Sequence, residues 1–409
     1  MFLGVSALSA TIVLVIVLVR MRIKLGIVMI SGAILMSLFG RLPPTTIINT
    51  IVLSITNQET IKLMLIIMGI TSVGHLLKVT GSLDEIISNL RVVIRDVRIL
   101  IALIPALVGL LAVPGGAIMS APLIEQMGDE TGLDKDSLAT ANIVFRHIYT
   151  YTFPMSTGII LISSISGINV IEFLKFNIPI MIITMPLAFI YIFRKIEPVK
   201  TKKKRAKPEM LLKLLISLLP FIIIITMSLV FYIYFPLAIF TGILYVIFLT
   251  KTNNGYIDTI KSRLLVTFEG IKWDMVFAIA GVMFFKDIVA VTGFLNEISS
   301  FLTDAGIPLF VLAILFPLIS GLITGNNNAA IGLSAPLFLS IIPAGISPIP
   351  YYNLIYIASS TSYITSPFHL CLLLTTEYYK ASLHNVLKQV ALVGSWIITV
   401  ALIRFAMIV

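Results

Sequence analysis

The feature that most constrains this chain is a series of apolar runs. Each is near the roughly 20 residues a helix needs to cross a bilayer core about 30 Å thick. Leu3–Val19, Leu63–Val79, Phe176–Ile192, Leu211–Tyr232 and Leu387–Ile408 are the clearest. A soluble fold would have to bury such runs on every side, and composition removes that option. Of 409 residues, 58% are hydrophobic and 12% charged, against roughly 25% charged in soluble domains. The sequence predicts an all-α polytopic membrane protein, with the lipid bilayer as a partner.

Charge placement then sets orientation. A net charge of +10 would suit nucleic acid if it lined one surface. The densest basic run, RKIEPVKTKKKRAKPEM (194–210), is instead a loop between apolar segments. Basic loops of this kind mark the cytoplasmic face, so no nucleic-acid partner is expected and 194–208 is read as a cytoplasmic linker. Arg20, Arg22 and Lys24 close the first helix on the same side. Both termini are then expected outside, in a multi-pass protein of the cell inner membrane. The first segment ends in RMRIK and has neither a basic leader nor a small-residue cleavage site, so it reads as a retained helix. The amphipathic stretch SLDEIISNLRVVIRDVR (82–98) reads as one helix along the inner surface.

Two segments interrupt their apolar runs in the same way. LIPALVGLLAVPGGAIMSAPL (103–123) lies over LFPLISGLITGNNNAAIGLSAPL (315–337), matching Pro105 with Pro317 and Gly109 with Gly321. Ser120-Ala121-Pro122 matches Ser334-Ala335-Pro336 after a two-residue insertion at the tip, and TYTFP (150–154) sits over YITSP (363–367). Each arm of the first segment has about 12–15 residues, roughly 20 Å of helix at 1.5 Å per residue. That is short of a crossing, so both segments are expected to be re-entrant hairpins. The polar stretch GDETGLDKDS (128–137) then follows as an inner loop.

Five crossings and one hairpin per half give an odd number of net crossings, so the halves have opposite orientation. The first repeat is placed at 1–193, with a scaffold part at 1–97 and a transport part at 98–165 whose tip is 113–117. The second is placed at 209–409, with a scaffold part at 209–304 and a transport part at 305–380 whose tip is 324–329. Inverted repeats with interrupted helices at matched positions are a pattern of secondary transporters, whose substrate lies between the broken elements.

The residues at these interruptions have chemistry suited to a small solute. Half-helix N-termini present free N–H groups to an anion, and unwound carbonyls suit Na⁺. The substrate-binding candidates are Thr324, Asn326, Asn327 and Asn328 at the second tip, Gly115, Gly116 and Ser120 at the first, Thr152, Ser156, Thr365 and Ser366 at the helix breaks, and Arg146 and His369 beside them. The ion-coupling candidates are Gly325, Thr150, Thr361 and Ser362. Each also has a plainer role. Asn caps helices, membrane hydroxyls bond back to a carbonyl one turn earlier, Arg146 can snorkel to the surface and a histidine can simply pack. Lys286 and Asp287 read as a pair outside the site. The single cysteine, Cys371, excludes an internal disulfide and a multi-cysteine metal site. No cofactor and no metal other than a coupling Na⁺ is expected.

The layout resembles the ion transporter superfamily, which includes divalent-anion/sodium symporters, citrate carriers and gluconate-type permeases. More narrowly, VFRHIYTYTFPMSTGIIL (144–161) and SPFHLCLLLTTEYY (366–379) are similar to the prokaryotic membrane family called domain of unknown function 401. The superfamily resemblance implies a homodimer and a transport domain that moves in an elevator fashion. The expected function is secondary transport, coupled to Na⁺ or H⁺, of a small anionic, carboxylate-like solute, not enzymatic. Two other readings stay open: a membrane protein acting on a lipid headgroup, and a cation/proton exchanger. The first needs an acid, base or metal cluster at one interface, and the second needs membrane-embedded carboxylates.

Overall fold

The computed structural model describes residues 3–110, 117–198, 208–231, 233–249, 256–294, 297, 306–343 and 345–409. The first half runs α1 (Leu3–Arg20), α2 (Leu25–Phe39), α3 (Pro44–Thr56), α4 (Gln58–Val79), α5 (Ser82–Val93), α6 (Val97–Gly109), α7 (Ala117–Thr131), α8 (Lys135–Ile148), α9 (Thr157–Ser166) and α10 (Val170–Phe193). The second runs α11 (Pro208–Leu229), α12 (Phe235–Leu249), α13 (Tyr256–Glu269), α14 (Trp273–Val291), α15 (Leu309–Thr324), α16 (Asn327–Ser334), α17 (Ile349–Ile364), α18 (Leu370–Tyr379) and α19 (Leu383–Ala406). A 3₁₀ turn, Ala335–Leu337, continues α16 into a short helical piece, Phe338–Ile341.

Four of these helices, α1, α4, α10 and α19, are long and apolar enough to cross a membrane. Their outward faces are apolar too: on α10, Ile182 and Ile190 are 67% and 63% exposed. A water-soluble surface does not carry such residues in contiguous stripes; a lipid-facing one does.

The helices sort into two groups by packing. α2 lies along α14, and α4 packs against α12, α13 and α14, while α11 packs on α5 and α12. In the other group α6, α7 and α8 pack together, as do α15, α16 and α17. α10 and α19 pack on each other and on both α8 and α17.

Prolines and small polar residues set the boundaries. Pro154 and Pro367 lack an amide hydrogen and disfavour helical backbone in the residue before them. α8 accordingly ends at Ile148, passes through the 3₁₀ turn Tyr149–Tyr151 and restarts as α9 at Thr157. α17 likewise ends at Ile364 and restarts as α18 at Leu370. Asn57, Asp96, Asp134, Asn169 and Ser382 cap α4, α6, α8, α10 and α19 through their side chains.

Two expected segments differ in detail. GDETGLDKDS is not a loop: α7 continues to Thr131 and α8 begins at Lys135, because Asp134 accepts from the Ser137 amide at 2.9 Å and starts a helix there. The stretch 82–98 is not one helix. α5 stops at Val93, and Asp96 accepts from the Arg98 amide at 3.0 Å to open α6. Most of the basic linker and the first tip with Gly115 and Gly116 lie outside the described residues.

The two hairpins cross the broken helices at matched glycines. A Cβ on Gly109 would sit 2.6 Å from the Arg146 carbonyl oxygen and against the Tyr149 ring. A Cβ on Gly321 would collide with the Ser362 hydroxyl and approach the Ser359 carbonyl to 3.2 Å. Only glycine lets α6 approach α8, and α15 approach α17, this closely.

Candidate functional site

The asparagine tip is a sharp helix–helix joint. Gly325 ends α15 with φ +59°, in the left-handed region that glycine enters without penalty. Asn326 then caps α16, its side-chain oxygen accepting from the Ala329 amide at 3.0 Å. Thr324 donates to the Ser320 carbonyl at 2.7 Å and accepts from the Asn326 amide at 3.3 Å. One asparagine therefore suffices to build the turn, and the other two point elsewhere.

Asn327 lies between the two broken helices. A Cβ on Gly158, in the first turn of α9, would lie 2.6 Å from the Asn327 amide nitrogen, and Ser360 of α17 donates to its side-chain oxygen at 3.4 Å. The N-terminal turns of α9 and α16 thus meet at one point, each with amide groups not used within its own helix. Ser156, the residue that opens α9, makes no side-chain cap bond there; its hydroxyl lies 3.3 Å from the Tyr356 hydroxyl instead. Tyr356 in turn donates to the Thr150 carbonyl at 2.7 Å, which bridges α17 to the first break. The Asn328 side-chain oxygen is buried with no hydrogen-bond partner in the protein. An unsatisfied buried carbonyl costs on the order of 1–3 kcal/mol, so this atom lacks a polar partner that the fold itself does not provide.

Several other predicted residues have their hydrogen bonds taken up by the fold. Thr365 bonds back to the Thr361 carbonyl at 3.0 Å. Ser362 donates to the Pro317 carbonyl at 3.1 Å and Ser366 to the Leu322 carbonyl at 2.6 Å, tying the second break to α15. Thr361 lies 2.9 Å from the Tyr151 hydroxyl, and Thr150 donates to the His147 carbonyl at 2.6 Å. Thr152 has a long contact of 3.5 Å to the Tyr149 carbonyl. Ser120 donates to Asn142 at 2.7 Å, and Asn142 donates to the Ala117 carbonyl at 2.9 Å and to Thr375 at 3.2 Å. That network joins α7, α8 and α18, away from the asparagine tip.

Arg146 is 4% exposed, so it does not snorkel to a surface. Lys286 pairs with Asp287 at 3.2 Å, and Ser54 donates to the same carboxylate at 2.6 Å. A cleft of about 520 Å³, lined by Glu59, Lys62, Pro154 and Asn169, reaches the first break at Pro154, but none of the three asparagines lines it.

The structure also brings together residues that the sequence reading kept apart. His147 ends α8 and His369 precedes α18, yet their rings meet edge to face with centroids 4.8 Å apart. Cys371 completes the group, and the ligand atoms of all three lie within 4.8 Å of one another. All three side chains are buried. His369 is among the expected site residues, whereas His147 and Cys371 are not; the spacing His369-Leu370-Cys371 and the shared register of the two breaks are the available signals.

A family described as protein of unknown function (DUF401) matches residues 4–409. The chain belongs to that family. The match spans both hairpins and both broken helices, so their arrangement belongs to the family region as a whole. No curated protein matches the chain.

Proposed function

We propose that this member of the DUF401 family is a secondary active transporter of a small anionic, carboxylate-like solute, coupled to Na⁺ or H⁺, with the solute held at the asparagine tip. The observation that carries the reading is the convergence of the α9 and α16 N-termini at Gly158 and Asn327, beside the unpartnered Asn328 oxygen. Two half-helix N-termini aimed at one point supply positive potential and unpaired N–H donors. An acceptor-only group such as a carboxylate meets both. The Asn328 carboxamide adds a donor and an acceptor for orientation, and the acceptor suits a coupling cation or a solute hydroxyl.

The inverted-repeat reading has further support in the packing. α7 lies on α18 and α16 lies on α9, so each hairpin's second arm meets the far half of the other repeat's broken helix. The matched glycine crossings form a second paired relation, each first arm crossing the near half of its own repeat's broken helix. The division into a scaffold and a moving transport unit follows the two packing groups, and elevator motion, a homodimer, external termini and a cytoplasmic 194–208 linker complete the proposal.

The test is thermal stability of the purified protein with di- and tricarboxylates and inorganic anions, in Na⁺ and in choline buffers. Stabilisation by one anion class, enhanced by Na⁺ or by lowered pH, is the expected result. An Asn327→Leu and Asn328→Leu pair that leaves that stabilisation intact removes the tip from the site. Absence of any anion effect, with uptake into proteoliposomes also absent, removes the transport reading.

A further inference from the structure

His147, His369 and Cys371 form a three-ligand constellation that the proposed asparagine-tip site does not use; His369, expected beside the solute, turns to His147 and Cys371 instead. We infer that they bind a thiophilic transition-metal ion of the Zn²⁺ class, clamping α8 to α18. The inference is independent of whether the chain transports a solute.

The hydrogen bonds of the two imidazoles decide their tautomers. His147 Nδ1 lies 2.7 Å from the Ile143 carbonyl oxygen, and His369 Nδ1 lies 3.1 Å from the Tyr363 carbonyl oxygen. A carbonyl can only accept, so each Nδ1 carries the proton and each Nε2 keeps its lone pair. Donation of the second ring nitrogen to a backbone carbonyl is the arrangement that orients metal-bound histidines and raises their basicity. Packing fixes the rings as well: Tyr363 lies against His369 with centroids 4.3 Å apart and against His147 at 5.4 Å. Each imidazole therefore keeps one nitrogen free to ligate, and one ligand atom from each of the three residues lies within 4.8 Å of the others.

The donor set selects the ion. Na⁺, Mg²⁺ and Ca²⁺ take oxygen ligands, whereas two imidazoles and a thiolate suit Zn²⁺ and its neighbours. A tetrahedral ion with bonds of about 2.0–2.3 Å holds its ligand atoms roughly 3.5 Å apart. The observed atoms lie within 4.8 Å of one another, so closing on an ion takes about one ångström of side-chain movement. Binding forms the Sγ–metal bond and two Nε2–metal bonds, and releases the Cys371 thiol proton to solvent. Three protein ligands leave one coordination position for water or another small ligand.

The position of the cluster sharpens the point. In the register that lays TYTFP over YITSP, His147 falls on Ser360, His369 on Ser156 and Cys371 on Gly158. Two of those counterparts, Gly158 and Ser360, lie against Asn327 at the asparagine tip, and the third, Ser156, opens α9 beside them and meets the Tyr356 hydroxyl. One junction thus carries hydroxyls and a glycine, and the other carries two imidazoles and a thiol.

Cobalt tests this directly, because Cys371 is the sole cysteine in the chain. Co²⁺ added to tag-free, full-length, reduced protein in detergent is expected to give a thiolate-to-cobalt charge-transfer band, saturating at one ion per chain and displaced by Zn²⁺. His75 and His384, the other histidines, cannot produce that band. Absence of the band at saturating Co²⁺ overturns the inference. Cys371→Ser should abolish it, and His147→Gln and His369→Gln should each weaken Co²⁺ binding by at least about tenfold, in keeping with a lost ligand. Should both histidine variants fold and bind Co²⁺ as the parent does, the clamp is refuted. If any variant fails to fold, the parent titration and its Zn²⁺ competition decide alone. Anion-dependent stabilisation is read separately, so failure of the transport proposal leaves this result distinguishable.

Discussion

The two broken-helix junctions share a backbone plan and differ in their chemistry. At one, Gly158 and Ser360 meet the Asn327 amide and Ser156 meets the Tyr356 hydroxyl; at the other, His369, Cys371 and His147 lie against one another. Each junction has a proline that ends the first half-helix, and each is crossed by a hairpin arm at a glycine. The crossing and the break are therefore alike at the two junctions while the ligand atoms differ. The hard, oxygen-rich junction suits a hydrated or carboxylate ligand, and the soft one suits a metal.

The shared plan is tested most severely at the crossings. Gly109→Val and Gly321→Val should each destabilise the protein by about 2–3 kcal/mol, the upper part of the roughly 1–3 kcal/mol typical of overpacking a tight interior. In both, the added side chain meets backbone carbonyls and not merely flexible tips: Arg146 at 2.6 Å and Ser359 at 3.2 Å. Denaturant or thermal unfolding in detergent measures the effect. A large cost at one glycine and none at the other would mean that the two crossings are not equivalent.

The difference between the junctions is sharpened by Gly158→Ala. Its methyl would occupy the space now 2.6 Å from the Asn327 amide nitrogen. Anion-dependent stabilisation should weaken at least tenfold, about 1.4 kcal/mol, while Co²⁺ binding at the other junction stays unchanged. Titrating both ligands into the same variant reads the two outcomes together, and parallel loss of both would show a general collapse instead.

Within the asparagine tip Asn326 and Asn328 should separate by sign. Asn326→Ala removes the cap on the Ala329 amide and should cost about 1 kcal/mol. Asn328→Leu removes a buried oxygen that has no partner, so stability should hold or rise while anion binding is lost. Thermal unfolding with and without anion distinguishes the two; a costly Asn328→Leu without any effect on binding would assign it a packing role.

Much of this architecture was legible in the sequence because prolines, glycines and apolar length act locally. Pro154 and Pro367 mark breaks wherever they fall, and the TGNNN pattern announces a capped turn. Side-chain partners were less legible. Ser120 faces Asn142 and Thr375, and His147 faces Cys371, through packing between distant segments that no local period encodes. Arg146 lies near the inner end of its expected helix, where a long side chain can reach a surface, yet the fold leaves it 4% exposed. The division of 82–98 was missed because its alternating charge suits one amphipathic helix, whereas Asp96 acts as a cap that restarts the chain in a new direction.

That cap distinguishes the two hairpins and gives the smallest expected effect. α6 opens on Asp96, whose carboxylate accepts from the Arg98 amide and guanidinium, while α15 opens on Pro308 with no side-chain cap bond. The hydrogen bond from the Arg98 side chain holds the Asp96 carboxyl below its usual range, outweighing partial burial. A carboxyl depressed in the folded state contributes stability above its unfolded pKa, near 3.9, and loses it as pH falls through the lower folded value. Asp96→Asn keeps the capping oxygen and removes the charge. Because the pair is partly solvated, with side chains 19% and 23% exposed, the loss at neutral pH should be about 0.5 kcal/mol. The parent and variant unfolding curves should converge below about pH 3, and a gap that persists unchanged into acid would assign the effect to geometry and not to charge.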